Sequence, residues 1–133
     1  MSSDIEIPAV LTLAAGLLGL PETHIIDVIP IAGGEFVELV DRAAPVLGWL
    51  AASVEDVRPG MTAALRASDR VSDGEVLIAL LSSHGDPAVV TANLAGPIAI
   101  GPGGAARQLV LEDPAYELRA RLGRLAPTPS ANG

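Results

Sequence analysis

Ser82, Ser83, His84 and Asp86 place the letters of a hydrolase triad in one short stretch. Acyl-transfer chemistry needs an imidazole against the serine Oγ and a carboxylate behind the ring. Neighbours within a single turn do not converge in that way. A Gly85-Asp86-Pro87 turn with exposed polar tips explains the same residues. His24 and Asp27 stand three apart, and His84 and Asp86 two apart. Together they could hold zinc or iron if the two turns met, and nothing in the spacing brings them together. Glu55-Asp56 and Glu112-Asp113 are adjacent carboxylates. Strand neighbours point to opposite faces, so solvated corners are expected rather than an acid/base pair. Gly101-Pro102-Gly103-Gly104 lacks the Lys, Ser or Thr of a phosphate loop, and a strand rather than a helix is expected after it. It reads as a β-turn. No catalytic residue, metal site or cofactor is expected.

Charge and composition narrow the classes further. The chain has 133 residues and a formal net charge of −8. Up to Asp41 there are seven acids and no base, and all eight basic residues are Arg. Such a surface repels phosphate, so direct nucleic-acid binding is disfavoured and a basic protein partner is favoured. Without cysteine there is neither a disulfide framework nor a thiolate metal site. Aromatic residues make up 2% of the chain, so the core must come from Leu, Ile, Val and Ala. The apolar run Pro8–Leu20 is too short to span a bilayer. Asp4 and Glu6 precede it where a secretory signal would carry positive charge. A cytoplasmic protein without membrane attachment is expected, and a monomer.

These residues must be positioned by short strands. Asp4–Ile7 alternates at period two, and Ala9–Leu13 follows. Gly16 and Gly19 bracket Leu17-Leu18 and point to a left-handed turn packed by its own leucines, with a helix over Ala14–Leu20 as the competitor. His24–Ile31 and Glu35–Val40, joined through Gly33-Gly34, form a hairpin. Asp41–Pro45 is a loop, Val46–Val54 a strand, and Met61–Ala67 a short helix after Pro59-Gly60. Ser72–Gly74 turns into the buried strand Glu75–Leu81, and Ser82–Pro87 turns again. Val89–Leu94, Ile98–Ile100 and Gln108–Leu111 complete the strands, followed by an amphipathic Leu118–Leu122. About eight strands at this spacing, with one or two short helices, make an all-β fold: a mostly antiparallel small barrel or pseudo-barrel. One domain over residues 1–125 is expected, with a disordered tail at 126–133 whose Ala126–Gly133 stretch has two prolines and no large side chain.

Within this pattern Val89–Tyr116 combines the strongest strand chemistry with an isolated amide. Asn93 sits between apolar strands and must satisfy its polar groups. In Asn93-Leu94-Ala95-Gly96-Pro97 the amide can tie a strand end to the following loop, while Pro97 sets the entry to the next strand. The alternative places Asn93 and Leu94 on a partner-binding surface.

Thr91–Ile100, then Arg107–Leu111 and Tyr116, resemble the signature of the flagellar assembly factor FliW family. Leu11–Leu20 with its two glycines and Trp49–Asp56 resemble further segments of that family. Leu13 and Leu20 stand where the family has aromatics, Val57 stands where it has proline, and Val57–Asp73 is shorter. The resemblance implies a closed or pseudo-barrel fold and a non-enzymatic regulator. Such proteins bind the translational repressor CsrA and also newly made flagellin. Flagellin held in the cytoplasm leaves CsrA free to repress flagellin mRNA, and flagellin export reverses this. The family-signature residues here are Asn93, Leu94, Pro97 and Gln108, in mainly structural roles. Glu112, Asp113 and Tyr116 are the candidate partner contacts. A β-barrel module for another cytoplasmic partner, or a small metal-dependent enzyme using His24 and His84, are the alternatives.

Overall fold

The computed structural model describes residues 7–31, 33–84 and 89–122. Within them lie β1 (Val10–Leu13), β2 (Ile25–Pro30), β3 (Phe36–Asp41), β4 (Gly48–Ser53), α1 (Val54–Val57) and α2 (Met61–Ala67). β5 (Val76–His84), β6 (Val89–Ala92), β7 (Ile98–Ile100), β8 (Ala105–Gln108) and β9 (Ala120–Arg121) follow. The strands run in the order β4-β3-β2-β1-β8-β7-β5, and β5 pairs back onto β4 to close a ring of seven. Closure removes the exposed edges of an open sheet. The seam between β1 and β8 is parallel, whereas the other named pairings are antiparallel. The fold is therefore a mostly antiparallel small β-barrel with two short helices.

Period-two alternation fills the ring. Leu11, Leu13, Ile26, Val28, Leu39, Ile78, Ile98 and Ile100 are buried in one cluster inside it. The intervening residues of β5 and β7 point outward, yet Leu77, Ala79 and Ala99 are also buried. They carry a second cluster with Met61 and Leu65 of α2, Leu94, and the segment from Leu109 to Leu122. Both faces of β5 and β7 are covered, which explains why these strands read as unbroken apolar runs. Among the described residues no helix is long and apolar enough to cross a membrane.

β6 and β7 follow one another along β5, and the register between them jumps. Ala92 pairs with Leu81 and Ile98 with Ile78. Two residues of β5, Ala79 and Leu80, thus face five, Asn93–Pro97. The signature segment is a bulge loop between β6 and β7 along one side of β5.

Several expected boundaries move. The strand expected over Val46–Val54 starts at Gly48, because Val46 lies in a turn, and it ends at Ser53. Ser53 caps α1, its Oγ accepting from Glu55 N at 3.2 Å, so Glu55 and Asp56 lie in the first turn of a helix rather than on a strand corner. The expected turn at Ser82–Pro87 is strand as far as His84, where pairing with β6 continues the ladder; residues 85–88 lie outside the described set. Gln108 ends a strand instead of starting one, since β8 is spent on pairing with β7 and β1. Leu17 and Leu20 form a tight bridged turn over a left-handed Gly16, and no helix spans Ala14–Leu20. Leu118–Leu122 contributes only the two-residue β9. Ile7 is not in a strand, and residues 4–6 of that expected element, like the tail at 126–133, lie outside the described residues.

Glu55 has a different task from the solvated corner expected of it. Its carboxylate accepts from Gly60 N at 2.9 Å and Thr62 N at 2.8 Å, and so caps α2, whose own N-cap is glycine. Burial works against its charge, but those hydrogen bonds outweigh it and hold Glu55 below the usual carboxylate range. Asp56 moves the other way. Burial first, then the nearby Glu35 and Glu55, push it above 3.8, and its Oδ2 is buried without a hydrogen-bond partner. A raised folded-state pKa gives a stability contribution that is full below the unfolded pKa and is lost as pH rises through the folded one. Ionised Asp56 therefore weakens the fold at neutral pH. Asp56→Asn is expected to be more stable than the parent at pH 7, and that gain should shrink as pH falls toward the ordinary aspartate range. Because Asp56 is partly solvated, the gain is at most about 1 kcal/mol. Paired urea titrations at the two pH values measure it.

Candidate functional site

One end of the barrel gathers the residues singled out in the sequence. Strand directions bring the β1–β2 loop (14–24), the β3–β4 loop (42–47), the bulge loop Asn93–Pro97 and the end of β8 to the same rim. Asn93 N donates to Leu80 O at 2.9 Å, and Asn93 Oδ1 accepts from Ala95 N at 3.0 Å and Gly96 N at 2.9 Å. The amide thus organises its own loop. Leu94 is fully buried in the second core, and its N–H donates to Glu117 O at 2.9 Å. Pro97, also fully buried, accepts from Leu109 N at 2.8 Å, and Ala95 O accepts from Leu111 N at 2.8 Å. The segment after β8 is laced to this loop although it forms no regular strand with it.

Gln108 is the cross-brace. Its Nε2 donates to Gly96 O at 2.8 Å, while its Oε1 accepts from Leu18 N at 2.8 Å. It couples the bulge loop to the β1–β2 loop across 90 residues of sequence. Gly96 fits closely between the two amides: an added Cβ would lie 3.1 Å from both Asn93 Nδ2 and Gln108 Nε2, and the amides would have to shift by a few tenths of an ångström. On the other loop, Gly16 has φ +73, and a Cβ there would lie 2.5 Å from Pro21 O. The β1–β2 loop thus depends on a backbone position that larger residues cannot take.

Asn93→Ala is expected to lower stability by about 1–3 kcal/mol, because two loop N–H groups lose their acceptor. Partner binding should weaken only in proportion. Thermal melting measured beside a binding titration checks this; lost binding with unchanged melting would move Asn93 to the interface.

Among the described residues, the other sequence candidates lie on separate segments of the chain. Glu112 and Asp113 are exposed. Asp113 Oδ1 accepts from Ala115 N at 2.9 Å and Asp113 O from Tyr116 N at 3.0 Å, so this acid forms its own turn. Tyr116 is half-buried against the second core. Val110 and Leu118, both well exposed, flank this acidic corner. His24 Nδ1 lies 2.8 Å from Leu13 O, in the β1–β2 connection. Ser82, Ser83 and His84 are consecutive on β5, where they alternate between faces, and Asp86 lies outside the described residues. Among the described residues no group of three or more His, Asp or Glu is placed to hold a metal ion.

Residues that the sequence did not single out complete the rim. Asp41, the last residue of β3, is buried and accepts from Thr23 Oγ1 and Ala43 N, each at 3.0 Å. Val46, at 93% exposure, and Leu18 stand on the two loops beside it. The only sequence-level hint was an acid at the apolar end of a strand, and its convergence with Thr23 appears only when the barrel closes.

These features define a small closed β-barrel with one end of cross-braced loops. The family model "FliW protein" matches residues 2–122. Over 123 residues the chain is 33% identical to the flagellar assembly factor FliW of Geotalea uraniireducens, covering 87% of this chain and 76% of that protein. It is 30% identical over 119 residues to the flagellar assembly factor FliW of Geobacter sulfurreducens, covering 84% and 75%. The crystal structure of a flagellar assembly factor FliW superposes with a TM-score of 0.70 at 21% identity, covering 89% of each chain. The chain belongs to the FliW family.

Proposed function

We propose that this chain is a flagellar assembly factor that acts in the cytoplasm as a non-enzymatic, monomeric partner switch. It binds a CsrA-type translational repressor and flagellin in turn, relieving repression of flagellin mRNA when flagellin leaves the cell. Family membership over nearly the whole chain is the observation that carries this reading. The acidic surface supports it, because a net charge of −8 suits an RNA-binding partner with exposed positive charge while disfavouring RNA itself. Encounter with that partner is electrostatically steered, so the association rate falls as salt rises. The signature amides fit a structural part in this reading, since they hold the barrel end.

Mixing the purified chain with CsrA, and separately with flagellin, tests the proposal. Co-elution on a sizing column at low salt and micromolar concentration is expected in both cases. Titrating flagellin into the CsrA complex should then release CsrA. Separate elution of all species overturns the reading. A second reading, a barrel that serves another cytoplasmic partner, is favoured by the shortened Val57–Asp73 region. It gains if both proteins fail while a different partner co-purifies stoichiometrically.

A further inference from the structure

Between the β1–β2 and β3–β4 loops lies an open cavity of about 460 Å³. Its walls include the apolar Leu20, Pro21 and Leu47, together with Thr23 and the acidic Glu22 and Asp41. Asp41 is the unusual member, a carboxylate only 4% exposed. Its Oδ2 accepts from Thr23 Oγ1 and its Oδ1 from Ala43 N, both neutral donors. No cation pairs with it among the described residues; the adjacent Arg42 is taken by Asp27 at 2.6 Å. An ionised carboxylate has about four acceptor sites, so about one remains on each oxygen. A carboxylate held only by neutral donors gains stronger, charge-assisted hydrogen bonds when a cationic donor joins it.

We propose that this cavity receives an arginine side chain of a basic protein partner. The guanidinium meets Asp41 with charge-assisted N–H···O bonds, as arginine forks meet carboxylates. The methylene stem lies along Leu20 and Leu47, as long cationic side chains lie along apolar walls. Glu22 at the mouth adds attraction. Leu18 and Val46, the exposed neighbours of Gly19 and Leu47, receive apolar residues beside the arginine. The chain's net charge of −8 fits a basic partner, and two of its acids, Glu22 and Asp41, are at this cavity. The inference deepens the partner-binding reading by giving that reading a contact point.

The test is an amide NMR titration of the full chain with a blocked Leu-Arg-Leu peptide, its citrulline counterpart and its lysine counterpart. Shifts are expected at residues 19–23 and 43–47, at peptide concentrations on the order of 1 mM. The citrulline peptide should bind about tenfold or more weakly, having lost the charge-assisted pair. The lysine peptide should bind less well than arginine, lacking the planar fork. Asp41→Asn should abolish the preference for arginine over citrulline. Should that variant unfold, Glu22→Gln, which leaves the Asp41 hydrogen bonds intact, should narrow the preference severalfold. Absent shifts, shifts elsewhere, equal binding of arginine and citrulline, or preference for lysine each overturn the proposal. A peptide response without co-elution of CsrA or flagellin keeps the site and removes the switch. Co-elution without a peptide response does the reverse.

Discussion

Leu94→Ala is expected to destabilise the chain by about 2–5 kcal/mol, the range for truncating a fully buried leucine that leaves a cavity. Leu94 is fully buried and belongs to the cluster that joins α2, the outer faces of β5 and β7, and the segment from Leu109 to Leu122. It comes from the middle of a bulge loop whose backbone is tied by Asn93 Oδ1 on one side and by Glu117 O on the other. The loop therefore cannot collapse into the space that the lost side chain leaves, and little of the cost is relieved. A small domain has only about 5–15 kcal/mol of stability, so this loss is a large fraction of the whole. Urea unfolding followed by Trp49 fluorescence measures it, because Trp49 packs against the other cluster, inside the ring. A Val110→Ala control, at a well-exposed position on the laced segment, should stay within about 0.5 kcal/mol of the parent. Equal effects at the two positions would mean that the second cluster contributes little to cooperative folding.

Much of the architecture was legible because it follows from local rules. The β2–β3 hairpin is written in β-branched residues on either side of Gly33 and Gly34, which take φ values of 103 and 79. α2 spans Met61–Ala67 as its helix formers and the preceding Gly60 suggest. The alternation through Leu109, Val110 and Leu111 is also real, since the first and third are buried and the second exposed. It misled only about the partner. These residues bond to the carbonyls of Pro97 and Ala95, in a loop, and period two reports burial without saying whether a regular strand lies alongside.

The helix at α1 was hidden for another reason. Ser53-Val54-Glu55-Asp56 carries a serine three residues before an acid, a helix-start pattern, but it follows an apolar strand with no break between them. Strand propensity in the run before Ser53 masks a cap whose effect begins at Ser53. The rim cavity was not legible at all. Thr23 and Asp41 are 18 residues apart and meet only through the register of β1, β2 and β3. No spacing rule reads such a pairing from a single sequence, whereas the Asn93 loop closes on residues two and three positions away.

Gly104→Ala is expected to cost about 2–5 kcal/mol and to loosen the one parallel seam of the ring. Gly104 has φ +92, a conformation in which an alanine is strained by about 1–2 kcal/mol. The added Cβ would also lie 2.4 Å from Val10 O, a backbone atom in β1 that cannot rotate away. Relief requires β1 and β8 to separate, which adds about 1–3 kcal/mol of overpacking strain. The seam has little reserve. Its register consists of Thr12 opposite Ala105 and Leu13 opposite Ala106, and Thr12 N donates to Gly104 O at 2.9 Å. Gly103→Ala is the control, because an added Cβ there meets nothing within 4 Å and its φ is not in the left-handed region. It should leave stability within about 0.5 kcal/mol of the parent. Hydrogen exchange separates the two components of the effect. If the seam opens, the Thr12 amide should lose protection in Gly104→Ala by more than the global loss of stability, while amides between β2 and β3 follow the global value. Uniform loss across all strands would instead mean that the ring yields as one unit and that the seam is no weaker than the antiparallel ladders.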